Sequence, residues 1–247
     1  MKILIISDLH GNLEALTALP AHYDELWVLG DLVNYGPNPR EVIDFVKKNA
    51  SLVVRGNHDH ALGFDTDPRC SKPYQVMAAE MGRITQALLS EKNKAFLRAL
   101  PLSIMTETQG CRFHLCHAAP TDPLFAYCPP ESSRWDEESR AVSPGYLLVG
   151  HTHLQFELER YGRKIINPGS VGQPKTGAPR AGFAIWEEGR LTLHSVPYDV
   201  ERTAEKIRQL DISASAKEQL VEVLQNGALS DTTQSDADEK RTAGSAV

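Results

Sequence analysis

The sequence predicts an α/β fold in which two sheets are layered about one core, and two features of the chain carry this expectation. In its first quarter, nearly continuous Leu, Ile and Val runs alternate with helical patterns. From about residue 112 onward the rhythm changes to short strand-like runs with few helices between them. A length of 247 residues accommodates one large domain. Such a chain buries roughly 70–75% of its unfolded surface and needs no disulfide staples. Residues 1–229 are expected to form a single domain, and 230–247, without an aromatic or large aliphatic residue before Val247, a disordered tail.

The first strands are expected at 2–7 (KILIIS), 26–30 (LWVLG) and 52–55 (LVVR), each apolar on both faces, as strands covered on both sides are. Helices are expected at 13–19, behind an Asn12 cap, and at 41–48, just after Pro39. Strand, helix, strand, helix, strand implies right-handed crossovers. Later strands are expected at 112–116, 146–149, 156–160, 164–167, 182–187 and 191–196. Turns at Tyr161-Gly162 and Glu188-Gly189 suit hairpins, so the second sheet is expected to be hairpin-rich. Residues 73–99 read as a helical insertion whose Met77, Met81, Ile84 and Leu88 stripe packs apolar surface rather than a cofactor. Residues 118–144, rich in Pro, Ser and acidic side chains, read as a long loop. Residues 200–229 read as C-terminal helices, with a Ser215/Glu218 capping box before 220–224 and Gly227 as the stop.

Composition narrows the class. Lys and Arg number 26 against 32 Asp and Glu, a net charge of −6, with 41% hydrophobic and 23% charged residues, which excludes disordered and fibrous classes. The four cysteines, Cys70, Cys111, Cys116 and Cys128, form no CxxC pair and are expected as structural thiols in a reducing compartment. The apolar run at 3–6 is shorter than the roughly 7–15 residues of a signal-peptide core. No stretch approaches the roughly 20 apolar residues of a membrane span. A cytoplasmic protein with no membrane partner is expected. The acidic balance and the absence of a basic run argue against a nucleic-acid partner, but leave room for small phosphate esters, since a metal can supply local positive charge.

Histidines, carboxylates and an amide gather where expected strands end: Asp8-Leu9-His10, Gly30-Asp31, Gly56-Asn57-His58, His117, and Gly150-His151-Thr152-His153. The carboxyl ends of strands in an open α/β sheet face one crevice, so these fragments can converge. If each segment is extended, residues at i and i+2 share a face, so Asp8 pairs with His10 and His151 with His153. Gly30, Gly56 and Gly150 permit close backbone approach. The inventory is Asp8, Asp31, His10, His117, His151, His153 and Asn57, more than one ion needs and enough for two sharing Asp31. Oxygen and nitrogen donors without thiolate suit Mn²⁺, Fe or Zn²⁺. Two such ions about 3.5–4 Å apart can generate hydroxide and clamp a phosphoryl group. His58, left over beside Asn57, is the natural general acid for a departing alkoxide. Each fragment alone has a bland explanation as a turn, a cap or a core histidine; five in order, each at a strand terminus, do not. His22 and His194 read as structural or solvated, and His60 and His114 as non-ligands.

This ordered set resembles the calcineurin-like metallophosphoesterase superfamily, whose pattern is DxH, GD, GNH, H and GHxH, over residues 1–195. The resemblance implies a four-layer αββα sandwich, two packed mixed sheets flanked by helices. It implies one ion on Asp8, His10, Asp31 and His153, and another on Asp31, Asn57, His117 and His151, with Asn57 and His58 also meeting substrate. Manganese is the first expectation, with Fe, Zn and Ni as alternatives. The length and Asn167-Pro168-Gly169-Ser170-Val171-Gly172 look like the small prokaryotic phosphodiesterase (YfcE-like) branch. That segment is either a substrate loop or a Pro-Gly turn joining two strands. Protein phosphatases of the superfamily carry GDxxDRG where this chain has Gly30-Asp31-Leu32-Val33-Asn34-Tyr35-Gly36, which leaves the partner of His58 open. The expected function is hydrolysis of small phosphodiesters or nucleotides by metal-hydroxide attack. The alternatives are a dinucleoside polyphosphate (Ap4A-type) hydrolase, and a scaffold that keeps the fold without turnover. The sequence leaves the oligomeric state open.

Overall fold

The computed structural model describes residues 1–143 and 145–229; the expected tail at 230–247 lies outside them. In chain order the first half comprises β1 (Lys2–Ile6), α1 (Leu13–Thr17), β2 (Glu25–Val28), α2 (Pro39–Asn49), β3 (Leu52–Val53), α3 (Asn57–Phe64), α4 (Gln75–Leu88) and α5 (Glu91–Ala99). The second comprises β4 (Ser103–Thr108), β5 (Cys111–Cys116), α6 (Trp135–Arg140), β6 (Gly145–Leu148), β7 (Gln155–Arg160), β8 (Arg163–Pro168), β9 (Arg180–Glu187), β10 (Arg190–Pro197), α7 (Val200–Arg208) and α8 (Ala214–Asn226).

β1 shows why its sequence does not alternate. The pleat sends Ile3 and Ile5 one way and Leu4 and Ile6 the other, and all four are buried. Leu4 and Ile6 pack against Leu16 of α1 and Val42, Ile43 and Val46 of α2. Ile3 and Ile5 enter the space between the sheets, with Trp27, Leu29, Phe113, Leu115, Leu148, Ile166 and Trp186. Edge-to-face contacts of Phe113 with Trp27 (5.1 Å) and Trp186 (5.0 Å) fill this layer.

Both sheets are five-stranded and mixed, ordered β10-β9-β1-β2-β3 and β4-β5-β6-β8-β7. Each has three parallel strands, β1, β2 and β3 in one, β5, β6 and β8 in the other, so their carboxyl ends can supply loops to a common edge. The αββα sandwich is therefore as expected, with differences in detail. β9 and β10 join the first sheet, β9 antiparallel to β1, so the second is less hairpin-rich than its sequence suggests. β4 was not anticipated: SIMTET has few large apolar residues because it is an edge strand with alternate side chains exposed. The outer face of the second sheet is covered by the 118–143 segment, which contains α6, with Trp135 and Cys128 against Leu147, Val149 and Ile165.

The Met77 and Met81 stripe packs on Leu220, Val223 and Leu224 of α8 and Ile207 of α7, as a packing stripe should. The α8 cap is Ser213, whose hydroxyl accepts from the Ala216 amide (3.2 Å), rather than Ser215 with Glu218. Gly227 ends α8 in the left-handed region (φ 66°) as expected. All four cysteines are free. Among the described residues no helix is long and apolar enough to cross a membrane.

Gly227 also lies against the 173–178 loop, where a Cβ would come within 2.5 Å of the Ala178 nitrogen. Gly227→Ala is thus expected to cost about 1–3 kcal/mol. At roughly 2–4 °C per kcal/mol for a chain of this size, thermal denaturation should show a fall in Tm of several degrees.

Candidate metal centre

The residues singled out at strand ends come together as two groups. Donor atoms of Asp8, His10, Asp31 and His153 all lie within 4.8 Å of one another, and so do those of Asp31, His117 and His151. Asn57 completes the second group, its Oδ1 3.0 Å from His117 Nε2 and 3.1 Å from His151 Nδ1. Asp31 is common to both: its Oδ2 lies 3.7 Å from His10 Nε2 and 3.3 Å from His117 Nε2. His58 flanks the pair, its ring 5.1 Å from that of His10. None of the seven expected ligands is left outside, whereas His60 lies against Phe64 (4.7 Å) and His194 stacks on Phe183 (5.4 Å).

The route by which they converge differs from the extended geometry that the i, i+2 spacing suggested. Asp8, His10, Asp31, His151 and His153 all have left-handed backbones, with φ of 54°, 45°, 55°, 64° and 61°. Non-glycine residues held there cost of order 1–3 kcal/mol each and persist only where the surroundings over-determine them. Main-chain bonds do so here: Asp8 N to Gly30 O (3.0 Å), His10 N to Asp31 O (2.9 Å) and Gly150 N to His117 O (2.7 Å). Close approach completes the fit, since a Cβ at Gly56 would collide with the Asp31 carboxylate and one at Gly150 with Ser7 Oγ. Segment 167–173 braces both loops. Asn167 Nδ2 donates to Gly150 O (2.7 Å), and Ser170 Oγ (2.8 Å) and Gly172 N (2.9 Å) donate to Asp8 O.

Three imidazoles are aimed by main-chain carbonyls. Nδ1 of His10, His117 and His153 donates to Val33 O (3.1 Å), Leu29 O (2.7 Å) and Gln173 O (2.6 Å), leaving Nε2 toward the centre. Burial lowers His10 to about 3, so its ring is neutral. At His117 burial also opposes the charge, but the Asp31 carboxylate outweighs it and pushes the group up to about 9. Burial raises Asp8 to about 7, and its buried Oδ1 has no hydrogen-bond partner. A carboxylate oxygen without a donor, facing imidazole Nε2 atoms, is an arrangement that a divalent cation satisfies. The donor set, oxygen and nitrogen with no thiolate, fits a first-row transition metal.

Three contributors escaped the sequence. Asp59, next to His58, does not touch its ring. Its Oδ2 accepts from Asp31 N (2.8 Å) and Gly56 N (3.0 Å) and its Oδ1 from Leu32 N (2.8 Å), locking the Asp31 turn onto the start of α3. The partner of His58 is Asn34, whose Nδ2 donates to Nδ1 (2.9 Å) while its Oδ1 accepts from Tyr35 N (2.9 Å). That amide orientation places the His58 proton on Nε2, which faces Cys70 Sγ at 3.5 Å. Burial lowers His58 to about 4. Lys175, held over the Tyr74 ring at 4.3 Å, sends its charge to Asp8, His10, His58, His151 and His153. Only Asn34 left a trace in the sequence, as the departure from GDxxDRG.

Two sheets presenting clustered carboxylates and imidazoles at their strand ends define a metal-binding hydrolase scaffold. Residues 1–189 match the calcineurin-like phosphoesterase superfamily domain, and the chain belongs to that superfamily, whose members hydrolyse phosphate esters. It is 32% identical over 230 residues to protein MJ0912 of Methanocaldococcus jannaschii, covering 83% of this chain and 91% of that one. It is 32% identical to a metallophosphoesterase of Sphaerobacter thermophilus of known structure, with a TM-score of 0.76 over 89% of this chain and 98% of that one. A symmetrical bis(5'-nucleosyl)-tetraphosphatase of Proteus mirabilis is 40% identical over 193 residues, 74% of this chain but 64% of the relative. The chain is a hydrolase acting on phosphate esters.

The Asp59 carboxylate can be tested directly. Asp59→Asn replaces one acceptor by an amide donor, so one of three main-chain N–H groups loses its partner. A cost of about 1–3 kcal/mol is expected, measured as a lowered denaturation midpoint.

Proposed function

We propose that the chain is a dinuclear metal-dependent phosphoesterase acting on small phosphodiesters or nucleotides. The observation that carries this is Asp31, whose Oδ2 stands between His10 and His117 and so between the two donor groups. Asp8, His10, Asp31 and His153 would hold one ion, and Asp31, Asn57, His117 and His151 the other. Two divalent ions, manganese foremost, supply Lewis-acid stabilisation of the phosphoryl oxygens and an activated water. The side chains supply orientation and protons. Burial opposes the Asp31 charge, but His117 and His58 outweigh it and hold Asp31 well below the usual carboxylate range, anionic for its bridging place. Lys175 adds a cation that favours an anionic ester. As general acid His58 would act from its charged form, passing the Nε2 proton to the departing oxygen and returning to a neutral ring; in the neutral ring Asn34 donates to Nδ1, so that Nε2 bears the hydrogen. Hydrolysis of dinucleoside polyphosphates is a second reading, favoured by the Proteus mirabilis relative. Turnover of a panel of phosphodiesters, nucleotides and dinucleoside polyphosphates after metal loading separates the two.

Elemental analysis of the saturated protein should approach two metal equivalents. Asp31→Asn should weaken both sites together and remove most activity; a limit of one equivalent, or a variant with normal metal content and turnover, would refute the shared bridge.

His58→Ala should cost about 10²–10⁴-fold on an alkyl or nucleoside ester, the range of general acid catalysis. It should cost much less on a p-nitrophenyl ester, whose leaving group is stable as an anion, with metal content unchanged. Equal losses on both substrates, or loss of metal, would exclude the acid role.

A further inference from the structure

A cavity of about 470 Å³ lies beside the centre, lined by α3, α4 and the segment 65–70 that joins them. Its wall includes Asn34 and Cys70, which meet the His58 ring nitrogens, Nδ1 and Nε2 respectively. Ala61, three residues along α3 from His58, continues the same helix face into the cavity. An oxygen that reaches His58 Nε2 takes the place held by Cys70 Sγ. Whatever is bonded to that oxygen then enters the space that Cys70 lines.

The wall selects what that group can be. Ala61, Ala78 and Gly82 offer a shallow apolar floor, and a Cβ at Gly82 would meet no heavy atom within 4 Å. Around it stand the Asp65 and Asp67 carboxylates and the Gln86 carboxamide, whose Nε2 donates to Asp65 Oδ1 (3.2 Å). Arg83, the cation on this wall, has Nη2 engaged by Asp211 O at 2.6 Å. Two carboxylates disfavour a phosphate here, so the phosphoryl group stays with the imidazoles and Lys175, and the cavity takes the uncharged end of the ester. None of the lining residues is aromatic, so no cage is built for a quaternary ammonium. Carboxylate and carboxamide oxygens beside a flat floor suit a planar heterocycle with N–H donors at its edge.

We infer that this cavity is the subsite for the base of a nucleoside leaving group, a base that bears an exocyclic amine. The inference rests on the proposed phosphoesterase activity in naming the ligand as the departing end of the ester, and its test does not require turnover. Manganese-loaded protein is titrated calorimetrically with adenosine and with inosine, which carries a carbonyl in place of the amine. Saturable adenosine binding is expected, at least about tenfold tighter than inosine, because the carbonyl leaves the buried Gln86 Oε1, which has no other hydrogen-bond partner, without a donor. Gly82→Leu fills the open space while improving helix propensity, so the fold is retained. It should weaken adenosine by at least about tenfold, while inorganic phosphate, which reaches only the donor cluster, binds both proteins alike. Equal affinity for the two nucleosides, no adenosine binding up to about 10 mM, or unchanged adenosine affinity in Gly82→Leu would overturn the assignment. Failure of the metal-loaded wild type to cleave bis-(p-nitrophenyl) phosphate would count against the phosphoesterase chemistry instead, with the adenosine comparison unaffected.

Discussion

Three carboxylates, Asp8, Asp31 and Asp59, lie fully buried between the loops of two sheets, and much of the local structure is an answer to that charge. An isolated carboxylate in such a place is strongly disfavoured unless hydrogen bonds or opposite charge compensate it. Each is compensated differently. Asp59 is neutralised by geometry alone, its two oxygens shared among three main-chain amides. Asp31 has the His117 imidazole at 3.3 Å and the His58 amide at 2.9 Å. Asp8 is the least compensated, with Oδ2 on the His151 amide and Oδ1 without a donor. This gradient separates structure from chemistry: the carboxylate that is fully satisfied holds the turn, and the one that is not is free to take a cation.

The same gradient explains what could be read in advance. The clustering of potential donors was legible because metal donors are few in kind, and this chain places them just where β-rich runs stop. Glycines before Asp31, Asn57 and His151 had a direct reading, since close approach excludes any side chain. Backbone conformation was not legible. Asp-x-His spacing fits an extended pair as well as two left-handed turns, and only the surrounding main-chain bonds decide between them. Asp59 escaped because its function lies in accepting from the amides of Asp31 and Leu32, after the neighbouring strand, and of Gly56, a role that any residue next to a ligand can conceal. Lys175 escaped because it approaches from a loop nearly 25 positions after His151, with no motif around it.

In the fold, strands buried on both faces announced themselves and the edges did not. KILII is apolar because helices cover one side and a second sheet the other. SIMTET meets neighbours on one edge only, so nothing selects a continuous apolar run there. The placement of β9 was equally hidden: its hairpin with β10 is local, but its pairing with β1 joins Lys2–Ile5 to Ala184–Glu187, far apart in the sequence. That long-range pairing brings Gly182 N to Ser170 O (2.9 Å), and Ser170 in turn holds Asp8. A strand with no donor of its own thus helps fix the first ligand loop.

Asn34 shows how the scaffold limits what its histidine can do. A carboxylate at that position would favour a charged imidazole, because it accepts from Nδ1 and stabilises the cation. A carboxamide oriented by Tyr35 N and donating to Nδ1 does the reverse: Nδ1 must keep its lone pair, and the ring stays neutral with its proton on Nε2. His58 in this chain therefore presents an N–H at Nε2 from a fixed neutral tautomer rather than storing charge. The same Asn34 amide also bonds Ala78 O of α4 at 3.2 Å, so the element that aims the histidine forms part of the adjoining cavity wall. The His58 ring and the cavity thus meet at two side chains, Asn34 and Cys70, and the one that fixes the tautomer is also part of the wall.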